Sequence, residues 1–132
     1  INPIDIYQLA IITPCFNPVN NWVENYIDNC KSIKNLLNTV EIKWILVDDG
    51  SDLGINTQDT ERIAREVKNF EAIFLDKNFG KGYAVRKGMQ NVQAETYLYT
   101  DIDFPYRNED LVGMYERSCA AGDLLLASRN EQ

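Results

Sequence analysis

Apolar residues in this chain fall into short unbroken blocks, separated by longer stretches where they recur every three or four positions. The blocks at 8–13, 42–47, 72–75, 97–100 and 123–127 are too short for helices and lack polar alternation, which predicts strands buried on both faces. Between the first two, Trp22, Val23, Tyr26, Ile27, Cys30, Ile33 and Leu37 keep helical spacing and predict a helix to about residue 38. Asn21 with Glu24 three residues later reads as its capping box. A second helix is expected over 57–68 with Ile63, Val67 and Phe70 inward, and a third over 82–93 with Tyr83, Val85, Met89 and Val92. Asn108 reads as the cap of a fourth, with Glu109 and Asp110 in its first turn, where carboxylates suit the helix dipole; Gly122 ends it. Four strand–helix units and a closing strand predict an α/β domain: a mainly parallel sheet of about five strands with helices on both faces.

The 132 residues make one domain with room for a real core. A formal charge of −7 argues against unaided binding to nucleic acid or to an anionic membrane. It also constrains substrates, since a carboxylate 4 Å from a phosphate costs about 4 kcal/mol at an effective dielectric of 20. A phosphorylated ligand therefore needs a metal or local basic residues. The chain has no histidine, which excludes Ser-His and Cys-His mechanisms and His-based metal sites. Cys15, Cys30 and Cys119 form no CxxC pair and read as reduced, buried thiols. No apolar run approaches the roughly 18 residues of a membrane span, and no signal peptide is visible. The expectation is a cytoplasmic domain whose membrane attachment, if any, lies in parts outside this chain.

The polar features gather where the predicted strands end: Pro14–Pro18, Asp48–Ser51, Asn78–Gly82, Asp101–Asp103 and Ser128-Arg129. In open parallel α/β sheets ligands bind at those carboxyl ends. In extended backbone Asp101 and Asp103 share one face and Ile102 points the other way. Two adjacent carboxylates on one face are costly without a cation, so a divalent metal is the first expectation. Each motif alone has a plainer reading. Asp48-Asp49-Gly50-Ser51 suits a capped Asp-Gly turn, Gly80-Lys81-Gly82 a flexible helix start, Asp101-Ile102-Asp103 a chance D-x-D, and Arg129 a surface arginine. Val85 replaces the third glycine of a dinucleotide fingerprint, and there is no phosphate loop of the G-x-x-x-x-G-K-[ST] kind. Lys81 beside a helix N-terminus is still placed to meet a phosphate.

Taken in order, Ile12-Thr13-Pro14-Cys15-Phe16-Asn17, Val47-Asp48-Asp49-Gly50-Ser51, Asn78-Phe79-Gly80-Lys81-Gly82, Asp101-Ile102-Asp103 and Ala127-Ser128-Arg129 resemble the motifs of the family 2 glycosyltransferases. The closing Ser-Arg and the Lys-Gly after Asn-x-Gly resemble the branch that transfers sugars to polyprenyl phosphates. The resemblance implies a Rossmann-like GT-A nucleotide-binding half and a UDP- or GDP-linked sugar as donor. It also implies Mg²⁺ or Mn²⁺ as cofactor, a polyprenyl phosphate or glycan as acceptor, and a role in cell wall or polysaccharide biosynthesis. By the same resemblance Pro14, Phe16 and Val47 line the nucleoside pocket, Asp49 hydrogen-bonds the base, and Asp101 and Ile102 meet the ribose. Asp103, with Asp101, holds the metal-diphosphate unit, and Arg129 lies near the phosphates. Phe16, Pro18 and Pro105 stand where the family usually has tyrosine, glutamate and glutamine. The family's catalytic base and acceptor-binding part are expected beyond residue 132, so 1–132 reads as one donor-binding domain of a longer enzyme. Two alternatives are a nucleotide-sugar-binding module without transfer activity and a haloacid-dehalogenase-like phosphatase. The second would carry its D-x-D after the first strand, not the fourth.

Overall fold

Strand β1 (Ile6–Cys15) is the longest in the sheet, and in the computed structural model, which describes residues 6–121, everything else is arranged about it. It pairs in parallel with β2 (Ile42–Asp48) on one side and with β4 (Gln93–Tyr99) on the other. Strand β3 (Phe70–Phe74) adds in parallel to β2, giving the order β3-β2-β1-β4. Side chains alternate across the sheet as the pleat requires. Leu9 and Ile11 point into a core with Ile42, Trp44 and Leu46, whereas Ala10 and Ile12 point the other way with Ile45 and Val47.

Three helices contribute to the first core: α1 (Trp22–Leu36), α2 (Thr57–Glu66) and α4 (Asn108–Ala121). The apolar spacing of α1 buries Trp22, Tyr26, Ile27, Cys30 and Ile33 on one stripe. Helix α3 (Lys81–Gln90) packs on the opposite face through Ala84. It sits close because residue 88 is glycine: a Cβ there would lie 2.7 Å from the Ile12 side chain. The expected α/β architecture with helices on both faces is therefore present, with four parallel strands among the described residues. The expected fifth strand at 123–127 lies outside them.

Several local expectations are corrected. Asn21 precedes α1 in a left-handed conformation (φ 68°) and makes no side-chain cap bond; Glu24 instead pairs with Arg62 of α2. The capping box belongs to α2, where Asn56 accepts from the Asp59 backbone and Asp59 accepts from Asn56 in return. Asn108 is the first residue of α4, not a cap, and its side chain donates to Asn29 of α1. Helix α3 stops at Gln90, short of 93, because Gln93 already opens β4 beside Ile6. Strand β3 begins at Phe70, two residues before the expected 72, where Phe70 comes into register with Trp44.

Ionisable groups sit neutral in the first core, Cys15, Cys30 and Tyr26 among them. Burial, reinforced by Asp48, pushes the Cys15 thiol from about 9 up to about 12. Burial likewise raises Cys30 and Tyr26 well above their ordinary values. In the unfolded chain these groups lose protons at lower pH than in the native state, so native stability is full below pH 9 and falls as pH climbs from 9 toward 12. Urea unfolding across that window should show the decline. A Cys15→Ala, Cys30→Ala variant should show a shallower one, offset by the cavity cost at every pH.

Candidate functional site

Strand order decides where the working surface lies. From β1 the chain moves outward through β2 to β3, then returns across β1 to lay down β4 on its far side. The connections from β1 to β2 and from β2 to β3 run over one face through α1 and α2, and the return to β4 runs over the other through α3. The winding therefore reverses between β1 and β4, the position of the crevice where open α/β sheets bind ligands. The loop after β1 forms one wall. Asn17 (φ 45°) donates its N–H to the Ser51 hydroxyl at 2.8 Å, and its Oδ1 accepts from the N–H groups of Asp52 (2.9 Å) and Leu53 (3.1 Å). The β1 and β2 loops are thereby stitched together, and Trp22 closes the seam by donating Nε1–H to the Gly54 carbonyl at 2.6 Å.

The two adjacent aspartates have different work. Asp48 accepts the Ser51 N–H at 2.9 Å and shapes its own turn, the plainer of its two readings. Asp49, only 4% exposed, reaches across to the loop after β3. Its Oδ1 accepts from the Phe79 N–H (2.8 Å), and its Oδ2 from the Gly80 N–H (3.0 Å) and Asn78 Nδ2 (3.2 Å). Three of about four acceptor positions on that carboxylate are thus filled from within the protein. Asn78 adds a bond to the Asp49 carbonyl at 3.2 Å. Gly50 is what permits the approach: φ is +73°, and a Cβ would lie 2.3 Å from the Lys77 carbonyl carbon.

This clamp sets the start of α3. Lys81, its first residue, places Nζ 3.0 Å from Asp101 Oδ1. The D-x-D itself is not extended backbone. Strand β4 ends at Tyr99, Thr100 continues the ladder by donating to the Ile12 carbonyl at 3.1 Å, and Phe104 N–H then closes a turn onto the Asp101 carbonyl at 3.0 Å. Asp101 and Asp103 therefore occupy a turn, and the expected alternation of faces does not apply to them. Phe104 sits at φ 48°, rare for a bulky residue. Its buried ring, 5.9 Å from Tyr26, holds it in that conformation.

The residues named from sequence separate by exposure. Phe16, Lys81 and Asp103 are exposed, Asp101 and Ile102 are half-buried, and Pro14, Val47 and Asp49 are buried. Val47 belongs to the core beneath α3; Arg129 lies outside the described residues. Sequence reasoning gave no role to Asn17 or Asn78, although an Asn beside a proline or two before a glycine is where side chains bond neighbouring backbone. Among the described residues no three His, Cys, Asp or Glu side chains converge as a metal cage. Two carboxylate sources on one short turn still suit a hard divalent ion that takes its other ligands from phosphate and water, as Mg²⁺ commonly does. The cavity of about 330 Å³ between α1 and α2, lined by Lys34, Trp44 and Val67 among others, opens at the amino ends of β2 and β3. None of the strand-end motif residues lines it.

The sequence profile of glycosyl transferase family 2 matches residues 10–130. The chain is 25% identical over 130 residues to undecaprenyl-phosphate 4-deoxy-4-formamido-L-arabinose transferase of Pseudomonas fluorescens (strain SBW25), covering 98% of this chain and 38% of that protein. It is 32% identical over 108 residues to dolichyl-phosphate beta-glucosyltransferase of Dictyostelium discoideum, covering 77% of this chain and 32% of that one. The chain thus spans about a third of the length of these curated relatives.

The Asp49 clamp predicts an asymmetry between neighbours. Asp49→Ala strands two main-chain donors and should cost more than a single charged hydrogen bond, which is worth about 1.5–3 kcal/mol. Asp48→Ala removes one such bond and should cost less. Urea midpoints of the two variants test this; equal losses would contradict it.

Proposed function

From the premise that this chain belongs to glycosyl transferase family 2, we propose that it is the donor-binding part of a metal-dependent glycosyltransferase, taking a UDP- or GDP-linked sugar and serving transfer to a polyprenyl phosphate. The observation that carries this reading is the meeting of Lys81 and Asp101 at 3.0 Å beside the crevice between β1 and β4. A phosphate-seeking cation and the first carboxylate of a D-x-D come from different loops to one place. The polyprenyl acceptor is suggested by the two relatives, whose names specify undecaprenyl and dolichyl phosphate.

Each residue then has a task. Phe16, 48% exposed at the end of β1, offers an aromatic face to the base. Asp49 shapes the base pocket mainly through its clamp on 78–80, with one acceptor position left for the base itself. Asp101 and Asp103 would hold Mg²⁺ or Mn²⁺, which when bound neutralises the departing diphosphate. Lys81 stands at the N-terminus of α3, where backbone N–H groups also favour anions. Its pair with Asp101 is half exposed, so it is weak and readily exchanged. With a divalent ion held by Asp101 and Asp103, the Lys81 ammonium would serve the diphosphate as a second cation. Asp103, exposed on the same turn, would be the second carboxylate on the ion.

Calorimetric titration with UDP and GDP, with Mn²⁺ or with chelator, tests the reading. Affinity should rise with Mn²⁺, and Asp103→Asn should remove most of that rise while the protein stays folded, because an exposed turn carboxylate supports no core. Lys81→Met should weaken nucleoside diphosphate binding and leave nucleoside binding unchanged. Wild-type metal dependence in Asp103→Asn would refute its role as the ligand.

A further inference from the structure

The −7 charge of the chain is unevenly spread. Residues 77–90 hold Lys77, Lys81, Arg86 and Lys87 and no aspartate or glutamate. Helix α3 turns Ala84, Val85 and Gly88 to the sheet, which leaves Lys87 and Arg86 exposed and Tyr83 half-buried on its outer side. Phe79, Tyr83 and Lys87 follow one another at four-residue spacing and so form a single stripe. Within it the Phe79 and Tyr83 rings stack at 4.4 Å and 23°. Lys77 Nζ lies 5.1 Å from the Phe79 ring centre, and Lys87 Nζ lies 5.6 Å from that of Tyr83. Phe79 remains 40% exposed. The neighbouring acids are Asp76, exposed just before Lys77, Glu71, engaged by Lys43 and Asn91, and Asp101, engaged by Lys81.

We propose that this stripe is a docking surface for an anionic bilayer. Its composition is the one an interface selects: aromatic rings that settle at headgroup depth, flanked by cations whose stems run along the rings while their heads reach lipid phosphate. The acidic surface elsewhere does not cancel the attraction, because at physiological ionic strength charges beyond about 8 Å are screened. A long polyanion such as RNA would have to continue past the ends of α3 onto acidic surface. A bilayer meets the protein only where the stripe faces it. Docked this way, the end of α3 that carries Lys81 stands at the membrane surface, so the crevice opens at headgroup level. The binding itself is independent of which nucleotide the crevice takes.

The test is co-sedimentation of the chain with vesicles of phosphatidylcholine alone and with phosphatidylglycerol added. Partitioning should be about tenfold or more in favour of the anionic vesicles and should fall as salt is raised. Lys77→Glu combined with Lys87→Glu should abolish that preference. Phe79→Ser, which leaves charge unchanged, should weaken binding to anionic vesicles. Unchanged melting temperatures in both variants would attribute the losses to the surface, and nucleotide titration of the Lys77, Lys87 double variant should match the wild type, so a failure here is separable from a failure at the crevice. Equal binding to neutral and anionic vesicles, wild-type behaviour of the double variant, or tighter binding to a single-stranded oligonucleotide than to anionic vesicles would each overturn the proposal.

Discussion

A buried carboxylate that gathers main-chain N–H groups from a neighbouring loop holds the working end of this domain in place. Asp49 takes hydrogen bonds from Phe79, Gly80 and Asn78, and in a poorly solvated setting such bonds are strong when complete and costly when broken. The loop so fixed launches α3, and α3 in turn positions Lys81, the outer aromatic stripe and the Gly88 contact with Ile12. Gly50 is the steric condition for the arrangement, since any side chain there would collide with the backbone at Lys77. A family resemblance draws attention to Asp49 as a base contact; its geometry makes it first a support for the loop opposite.

Electrostatics at the crevice are arranged for exchange. The D-x-D turn is held from behind by the Phe104 ring against Tyr26, so apolar packing helps to present its carboxylates. Lys81 lies against one of them with both partners reached by water. A pair of that kind adds little stability yet keeps a cation beside a carboxylate in a protein of net charge −7. On the proposed reading, a divalent ion with a diphosphate would supply a stronger partner for the aspartates and a new one for the lysine.

Net charge and local charge pull in different directions here. Summed over the chain, the acidic balance disfavours nucleic acid and membrane alike, and at the level of composition that inference is sound. Folding places four cations on one short segment against the sheet; of the nearby acids, Glu71 is engaged by Lys43 and Asp101 by one of the four, Lys81. Screening then lets that face act by itself.

The amino-acid sequence by itself determined the strand–helix alternation, because apolar blocks buried on two faces and apolar stripes buried on one leave different periods along the chain. It also marked the strand ends as the place where chemistry gathers, since a parallel sheet brings all those ends to one edge. Element boundaries were less legible. Asn21 and Glu24 have the spacing of a capping box, but Glu24 pairs with Arg62, a partner 38 residues away; Asn56 and Asp59, with a less familiar pair, form the real one. Only the tertiary structure decided that Asp101 and Asp103 stand on a turn, that Asp49 bonds a loop 30 residues downstream, and that Lys81 meets Asp101. Each of these depends on which strands lie side by side. That order follows from how helices of both faces pack on β1, a long-range choice that no local period encodes.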